Sequence, residues 1–195
     1  MVKNVVILSD YGYIEGGAGR IAHETAFALK EQGLRVLFFC AVGPVSEDLV
    51  NNGIEVTCLH QADILHAKSK IKGALQGIYN RKAKKAFSAL LDGLDNKETV
   101  IHAHTWTKGL SSSVFAVARR KNFQVLLTVH EYFLVCPNGG LFDYPKRTIC
   151  HKKPMSLSCL LCNCDARSYS QKLFRVMRQR KQNSVLRKCK NISYA

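Results

Sequence analysis

NVVILSDYGYIEGGAGRIAHETAFALKEQGLRVLFFC, from Asn4 to Cys40, decides the fold. It opens on a short apolar run, Asn4 to Ser9, rich in β-branched residues, which reads as a buried strand. A glycine-rich turn follows, Gly12 to Gly19. Ile21, Ala22, Thr25, Ala26 and Leu29 then recur at helical spacing, and Gly33 ends the helix. Arg35 to Cys40 is a second apolar strand. The same alternation continues outward. Ile54 to Cys58, Thr99 to His102 and Gln124 to Val129 read as further strands. Asp63 to Asp92 reads as a basic helical stretch carrying Lys68, Lys70, Lys72, Arg81, Lys82, Lys84 and Lys85. Leu110, Val114, Val117 and Ala118 mark another helix. Short apolar strands alternating with amphipathic helices predict a doubly wound α/β fold, a parallel sheet covered on both faces. Ligands of such folds bind beyond the carboxyl ends of the strands. Those ends carry Ser9-Asp10, the glycine turn, Ala41 to Gly43, His102 to Trp106, and His130-Glu131. Of His102 and His104, one is expected to face the core or a helix.

After His130 the alternation stops. Residues 131–165 form a long insertion with Pro137, Gly139, Gly140, Pro145, Pro154 and five cysteines. Loops of that length are uncommon unless functional or clipped. Ser168 to Lys188 then reads as a basic helix whose apolar face is Leu173, Phe174, Val176 and Met177. Asn191 to Ala195 looks like the start of another strand.

A length of 195 residues corresponds to a single domain, 1–195, with the Cys-rich loop as an elaboration. Composition, 47% hydrophobic and 22% charged, excludes a disordered chain. The longest apolar run, Val36 to Val42, is far short of the ~20 residues a spanning helix needs. Val5 to Leu8 is too short for a signal-peptide core. The cytosol is therefore the expected compartment, where cysteines stay reduced. Charge is uneven: 13 basic residues and one acid lie between Lys146 and Ala195, out of a net +15 for the chain. That imbalance points to an anionic partner, whether nucleic acid, an anionic membrane or a phosphorylated substrate.

The turn Glu15-Gly16-Gly17-Ala18-Gly19-Arg20 lies between first strand and first helix. Glycines let backbone N–H groups approach a ligand, and the helix N-terminus favours an anion, so the turn is a candidate phosphate site. Gly17-x-Gly19-x-x-Ala22 also fits the dinucleotide fingerprint. Against that reading, Asp10 to Gly16 intervenes after the strand. The second strand also ends in Cys40-Ala41-Val42, with no acid for a ribose.

Cys136, Cys150, Cys159, Cys162 and Cys164 fall within 29 residues. Cys159-x-x-Cys162 lets two thiolates meet one ion, and two earlier cysteines would complete a four-sulfur structural zinc site. An iron–sulfur cluster takes the same ligands. Free thiols and a redox pair are the other readings. Four thiolates leave no open position, so such a metal would not be catalytic. Cys40 and Cys58 fall in strand patterns and read as core. His23, His60 and His66 read as structural or surface residues.

GGAGRIAHETAFALKEQGLRV (16–36), IHAHTW (101–106) and TVHEYFLVCPNGG (128–140) resemble the first loop and helix and the fourth and fifth strand ends of retaining glycosyltransferases of family 4. The resemblance covers essentially the whole chain and implies the Rossmann-like N-terminal half of a GT-B architecture. It also implies that the C-terminal donor-binding domain, with its glutamate pair spaced by seven residues, is absent. The last residues, near Tyr194, fall roughly where the linker to that domain would begin. It further implies a nucleotide-diphosphate sugar as donor, a glycan or lipid-linked acceptor, and no cofactor for catalysis. Gly16 and Gly17 match the loop beside the donor diphosphate. His130 matches the strand-end histidine near the reacting centre and is the candidate catalytic residue. His104 and Trp106 match the cleft side of the fourth strand end. Glu131 stands where aspartate or asparagine is frequent. Tyr11, Tyr13 and the basic stretch Lys68 to Lys85 are acceptor-side candidates. The family has no agreed enzymatic nucleophile, and none is assigned.

Two functions are therefore expected in order. The first is the acceptor-side half of a glycosyltransferase, inactive without its second domain in cis or in trans, with peripheral contact to the inner face of an anionic membrane. The alternative is a metal-stabilised basic module binding nucleic acid. That alternative leaves the glycine turn and the strand-end histidines without a role, and no aromatics are interleaved among the C-terminal basic residues for stacking.

Overall fold

The computed structural model describes the whole chain, Met1–Ala195. Its strands are β1 (Asn4–Tyr11), β2 (Arg35–Val42), β3 (Glu55–Cys58), β4 (Thr99–Ala103), β5 (Gln124–Leu127), β6 (Phe142–Asp143), β7 (Thr148–Ile149) and β8 (Ile192–Tyr194). Its helices are α1 (Gly16–Glu31), α2 (Glu47–Asn51), α3 (Lys70–Ile78), α4 (Arg81–Asp92), α5 (Ser113–Arg120), α6 (Leu157–Leu161) and α7 (Tyr169–Leu186). Six strands form one sheet in the order 3-2-1-4-5-8, every pair parallel. The doubly wound, Rossmann-like α/β fold is thus the observed one. β6 and β7 make a separate antiparallel hairpin.

Side chains alternate across the sheet. Val6, Leu8, Leu37, Phe39, Ile101 and Val125 point to one face, where Phe87 and Leu91 of α4 and Phe115 of α5 complete a cluster of 20 buried residues. Val5, Ile7, Val36 and Phe38 point to the other, beneath Ala22 and Ala26 of α1 and Leu49 of α2. The chain runs outward from β1 to β3 and then crosses back to lay β4 beside β1. That reversal is the topological switch point, where doubly wound sheets open a crevice.

Several boundaries differ from the sequence reading. The predicted helix over 63–92 is two helices. Asn80 caps α4 by accepting from Ala83 N, donates through Nδ2 to the carbonyl of Gly109, and donates through its own N–H to Ser111 Oγ. Those three bonds fix Asn80 in an extended conformation and end α3 at Ile78. The five-residue α2 was too short to show a period. The glycine turn is shorter than its letters suggest, because α1 already begins at Gly16.

The largest correction concerns α7. Leu173 and Met177, assigned to its buried face, are exposed, whereas Lys172, Arg178, Gln179 and Gln182 are buried. Only Val176 of the predicted apolar set is buried, with Val185 further along.

Candidate functional site

The cleft at the β1/β4 switch point is built by the residues that follow the strands. Asp10, at the end of β1, is 1% exposed. Its Oδ1 accepts from Gly109 N at 2.7 Å and Leu110 N at 2.8 Å, and its Oδ2 from Lys108 N at 2.8 Å. Burial pushes the Asp10 pKa up, against the three N–H groups that favour its carboxylate. The clasp pulls the loop after β4 tightly inward. A Cβ at Gly109 would lie 2.7 Å from Ala41 Cβ, so only glycine fits there. Asp10 N in turn donates to Thr105 Oγ1 at 2.8 Å.

Two adjoining hollows result. One is bordered by His104, Thr105, Trp106, Thr107, His130, Glu131 and Phe133. The other runs from Asp10 and Tyr11 past Thr105, Thr107, Lys108 and Glu131 to Glu15, Ala18 and Gly19 at the start of α1. They share Thr105, Thr107 and Glu131, so they lie side by side between His130 and the first turn of α1. At that turn Gly16 has φ +72°, and a Cβ on Gly16 or Gly17 would meet nothing within 4 Å. Glu15, at the N-cap, makes no side-chain capping bond. The glycines therefore present open backbone with the positive end of α1 behind it.

The histidines meet at the other end. His102 and His104 are two residues apart along one strand and its extension, so they share a face, contrary to the expected split. Their ring centroids are 4.3 Å apart. His104 Nδ1 and His130 Nε2 are hydrogen-bonded at 3.1 Å. His102 Nε2 bonds Thr128 Oγ1 at 2.8 Å. Burial, with His102 and His130 as neighbours, pushes the His104 pKa down to about 3, so the ring is neutral at physiological pH. Burial also lowers His102 and His130. Glu131 stands exposed beside them.

Other candidates occupy different surroundings. Tyr11 is buried, and its hydroxyl donates to Asp63 Oδ2 at 2.7 Å. Its ring lines the cleft, while the phenol is engaged inward. Trp106 is 4% exposed; its Nε1 donates to Gln182 Oε1 at 2.8 Å and its ring meets Phe115 edge-on. It braces the wall from behind. Tyr13 lies edge-on to Tyr11.

Sequence reasoning missed the residues that hold the two walls together. Arg178 donates to the carbonyls of Thr107 and Pro137 and lies 4.8 Å from the Phe133 ring centroid. Burial lowers its pKa to about 10, leaving it charged. Gln179 donates to the carbonyl of Leu134 at 2.9 Å, and Gln182 to that of Phe133 at 2.8 Å. Lys108 was also missed; its ammonium sits 5.7 Å over the Tyr11 ring at the cleft.

The five loop cysteines do not converge on a metal position. No group of three or more His, Cys, Asp or Glu side chains has the geometry to hold an ion. Cys159 and Cys164 instead face Lys172 Nζ, at 3.8 and 2.8 Å, and Lys172 is wholly buried. Asn138 Nδ2 donates to Cys164 Sγ at 3.2 Å. Cys162 turns to Asp143, and Cys150 lies partly exposed across the hairpin. As placed, the residues fit neither a zinc nor an iron–sulfur site.

Residues 16–155 match the family model described as glycosyl transferase 4-like domain. The chain belongs to that family. The match takes in α1, strands β2 to β7 and the strand-end histidines, and runs into the Cys-rich loop. No curated protein matches the chain significantly. A glycosyltransferase 4-like domain carries a glycosyltransferase-type function, with sugar donor and acceptor as its partners. No helix in it is long and apolar enough to cross a membrane.

Proposed function

We propose that this chain is the acceptor-side domain of a retaining glycosyltransferase that moves a sugar from a nucleotide-diphosphate sugar to a glycan or lipid-linked acceptor. A donor-binding domain, in cis or in trans, completes the cleft. Without that second wall the reacting groups are not preorganised, and the chain alone transfers little or no sugar. The carrying observation is the pair of adjoining hollows that lie between the open first turn of α1 and His130. A helix N-terminus and Lys108 suit the charge of a diphosphate leaving group. A neutral imidazole suits a sugar hydroxyl or a phosphate oxygen.

The proposed setting is the cytoplasm, at the inner face of an anionic membrane. Ile71 and Leu75 on α3 and Leu173 and Met177 on α7 are exposed, with Lys68, Lys70 and Lys72 close in sequence. Apolar side chains mixed with lysines support peripheral contact there. The nucleic-acid reading is disfavoured by the same helix. Lys172 and Arg178 are buried, and Arg175 pairs with Asp165 at 3.3 Å, so part of the basic segment never reaches a polyanion.

Titrating the isotope-labelled full chain with nucleoside diphosphates, nucleotide sugars and a single-stranded oligonucleotide tests the proposal. Amide shifts at Gly16 to Gly19 and at His130 with a nucleotide sugar are expected. A steeply salt-dependent response to the oligonucleotide, with none to any nucleotide sugar, overturns it.

A further inference from the structure

His104 has one feature the proposed chemistry does not use. Its Nε2 is buried and has no hydrogen-bond partner, while its Nδ1 is bonded to His130. The ring is 2% exposed and neutral, so it carries a single proton. That proton sits on Nδ1 or on Nε2. On Nε2 it would leave a buried N–H donor unpaired, a rarity in folded proteins. On Nδ1 it makes the hydrogen bond to His130 and leaves only a bare lone pair buried. The second arrangement is the cheaper one. It requires His130 Nε2 to be the acceptor, and a neutral imidazole whose Nε2 accepts carries its proton on Nδ1. His130 Nδ1 has no partner within the chain, and the residue is half-exposed on the cleft.

We propose that His104 is a positioning residue that locks His130 in its Nδ1–H tautomer, so that His130 offers the cleft a hydrogen-bond donor instead of a base. The surroundings make the lock rigid. His102 lies against His104 at 4.3 Å between ring centroids and is itself held by Thr128 Oγ1 at 2.8 Å. The His104 and His130 rings are close to parallel, with 22° between their planes. The charged or titratable side chains that act electrostatically on the pair are His102 and Glu131. A fixed donor suits an oxygen that gains negative charge, as an oxygen of the departing diphosphate does, because it needs no reorientation when the charge appears. The choice of that oxygen as ligand rests on the glycosyltransferase reading above; the tautomer itself does not.

The test is long-range proton–nitrogen NMR of imidazole rings in the 15N-labelled full chain at neutral pH, with the His130 signals assigned by their loss in His130→Gln. The expected result is a protonated Nδ1 and a bare Nε2 on His130. In His104→Phe, which removes the donor, the majority of His130 should pass to the Nε2–H form. A purely structural role for His104 would leave the His130 tautomer unchanged in His104→Phe. An Nε2–H His130 in the unmodified chain overturns the proposal, as does an unchanged tautomer in a folded His104→Phe. If His104→Phe does not fold, the tautomer of His130 in the unmodified chain still decides it. Neither ligand nor activity enters this measurement. Failure to bind a nucleotide sugar with the tautomer intact would therefore count against the transferase reading alone.

Discussion

Helices α4 and α7 are both rich in lysine and arginine, yet they meet the rest of the protein in opposite ways. α4 buries Ala83, Phe87 and Leu91 and turns its basic residues outward. Phe87 packs against Phe39 of β2 with 5.0 Å between ring centroids. α7 buries Lys172, Arg178, Gln179 and Gln182 and leaves Leu173 and Met177 in solvent. The difference lies in what each helix covers. α4 covers the apolar side chains of strands. α7 covers the loops after β4 and β5, whose backbone carbonyls at Thr107, Phe133, Leu134 and Pro137 need donors. Against such a surface, a glutamine or arginine is the complementary residue, because a buried carbonyl left unpaired is costly.

The contrast can be broken by mutation, most sharply on the α4 side. Phe87→Ala should cost about 3–5 kcal/mol in denaturant unfolding, through lost burial and the cavity left behind. Gln182→Leu should cost about 2–3 kcal/mol although it adds apolar surface, because Trp106 Nε1 and the Phe133 carbonyl both lose their partner. A stabilised Gln182→Leu would mean that α7 faces a greasy surface after all. The imidazole cluster should appear in the pH dependence of stability. His104 titrates near 6.5 when unfolded but at about 3 in the fold, so the unfolded state binds the extra proton between those values. Its contribution is complete above pH 6.5 and falls as the pH drops, by about 1.4 kcal/mol per pH unit. Urea titrations from pH 7 to pH 4 should show that slope, and His104→Phe should lack this residue's share. The smallest effects belong to the exposed stripe of α7. Leu173→Ser and Met177→Ser should each change stability by less than about 0.5 kcal/mol. A loss of several kcal/mol at either position would restore the orientation expected from the sequence.

That orientation explains what the sequence did and did not reveal. β1 and β2 were legible because both of their faces are buried, leaving uninterrupted apolar runs such as Val5 to Leu8 and Val36 to Ala41. The carboxyl ends of β1, β4 and β5 place Asp10, His104 and His130 at one end of the sheet from the sequence alone. The function of Asp10 was not legible, because its partners are backbone N–H groups, which carry no residue identity. The break between α3 and α4 does have a signal in the sequence, an asparagine three residues before Ala83, placed to cap a new helix. The face of α7 had no such signal. Periodicity locates a hydrophobic stripe and assumes that the stripe is buried, and that assumption fails when the neighbour is bare backbone. The cysteine spacing has a related limit: it shows which sulfurs are able to meet, and carries no sign of the Lys172 ammonium that lies beside Cys159 and Cys164.

The ties from α7 also set an order of events during synthesis. Asp10 waits 98 to 100 residues for the N–H groups it clasps. Arg178 reaches back 71 residues to Thr107 and 41 to Pro137, and Gln182 reaches back 76 to Trp106. A ribosome adds about 5–20 residues per second, so the strand ends emerge seconds before the helix that joins them. During that interval the sheet is able to form, but the two walls of the cleft have nothing to hold them at their final separation. The helix that gives the cleft its width is made only after the strand ends that it holds.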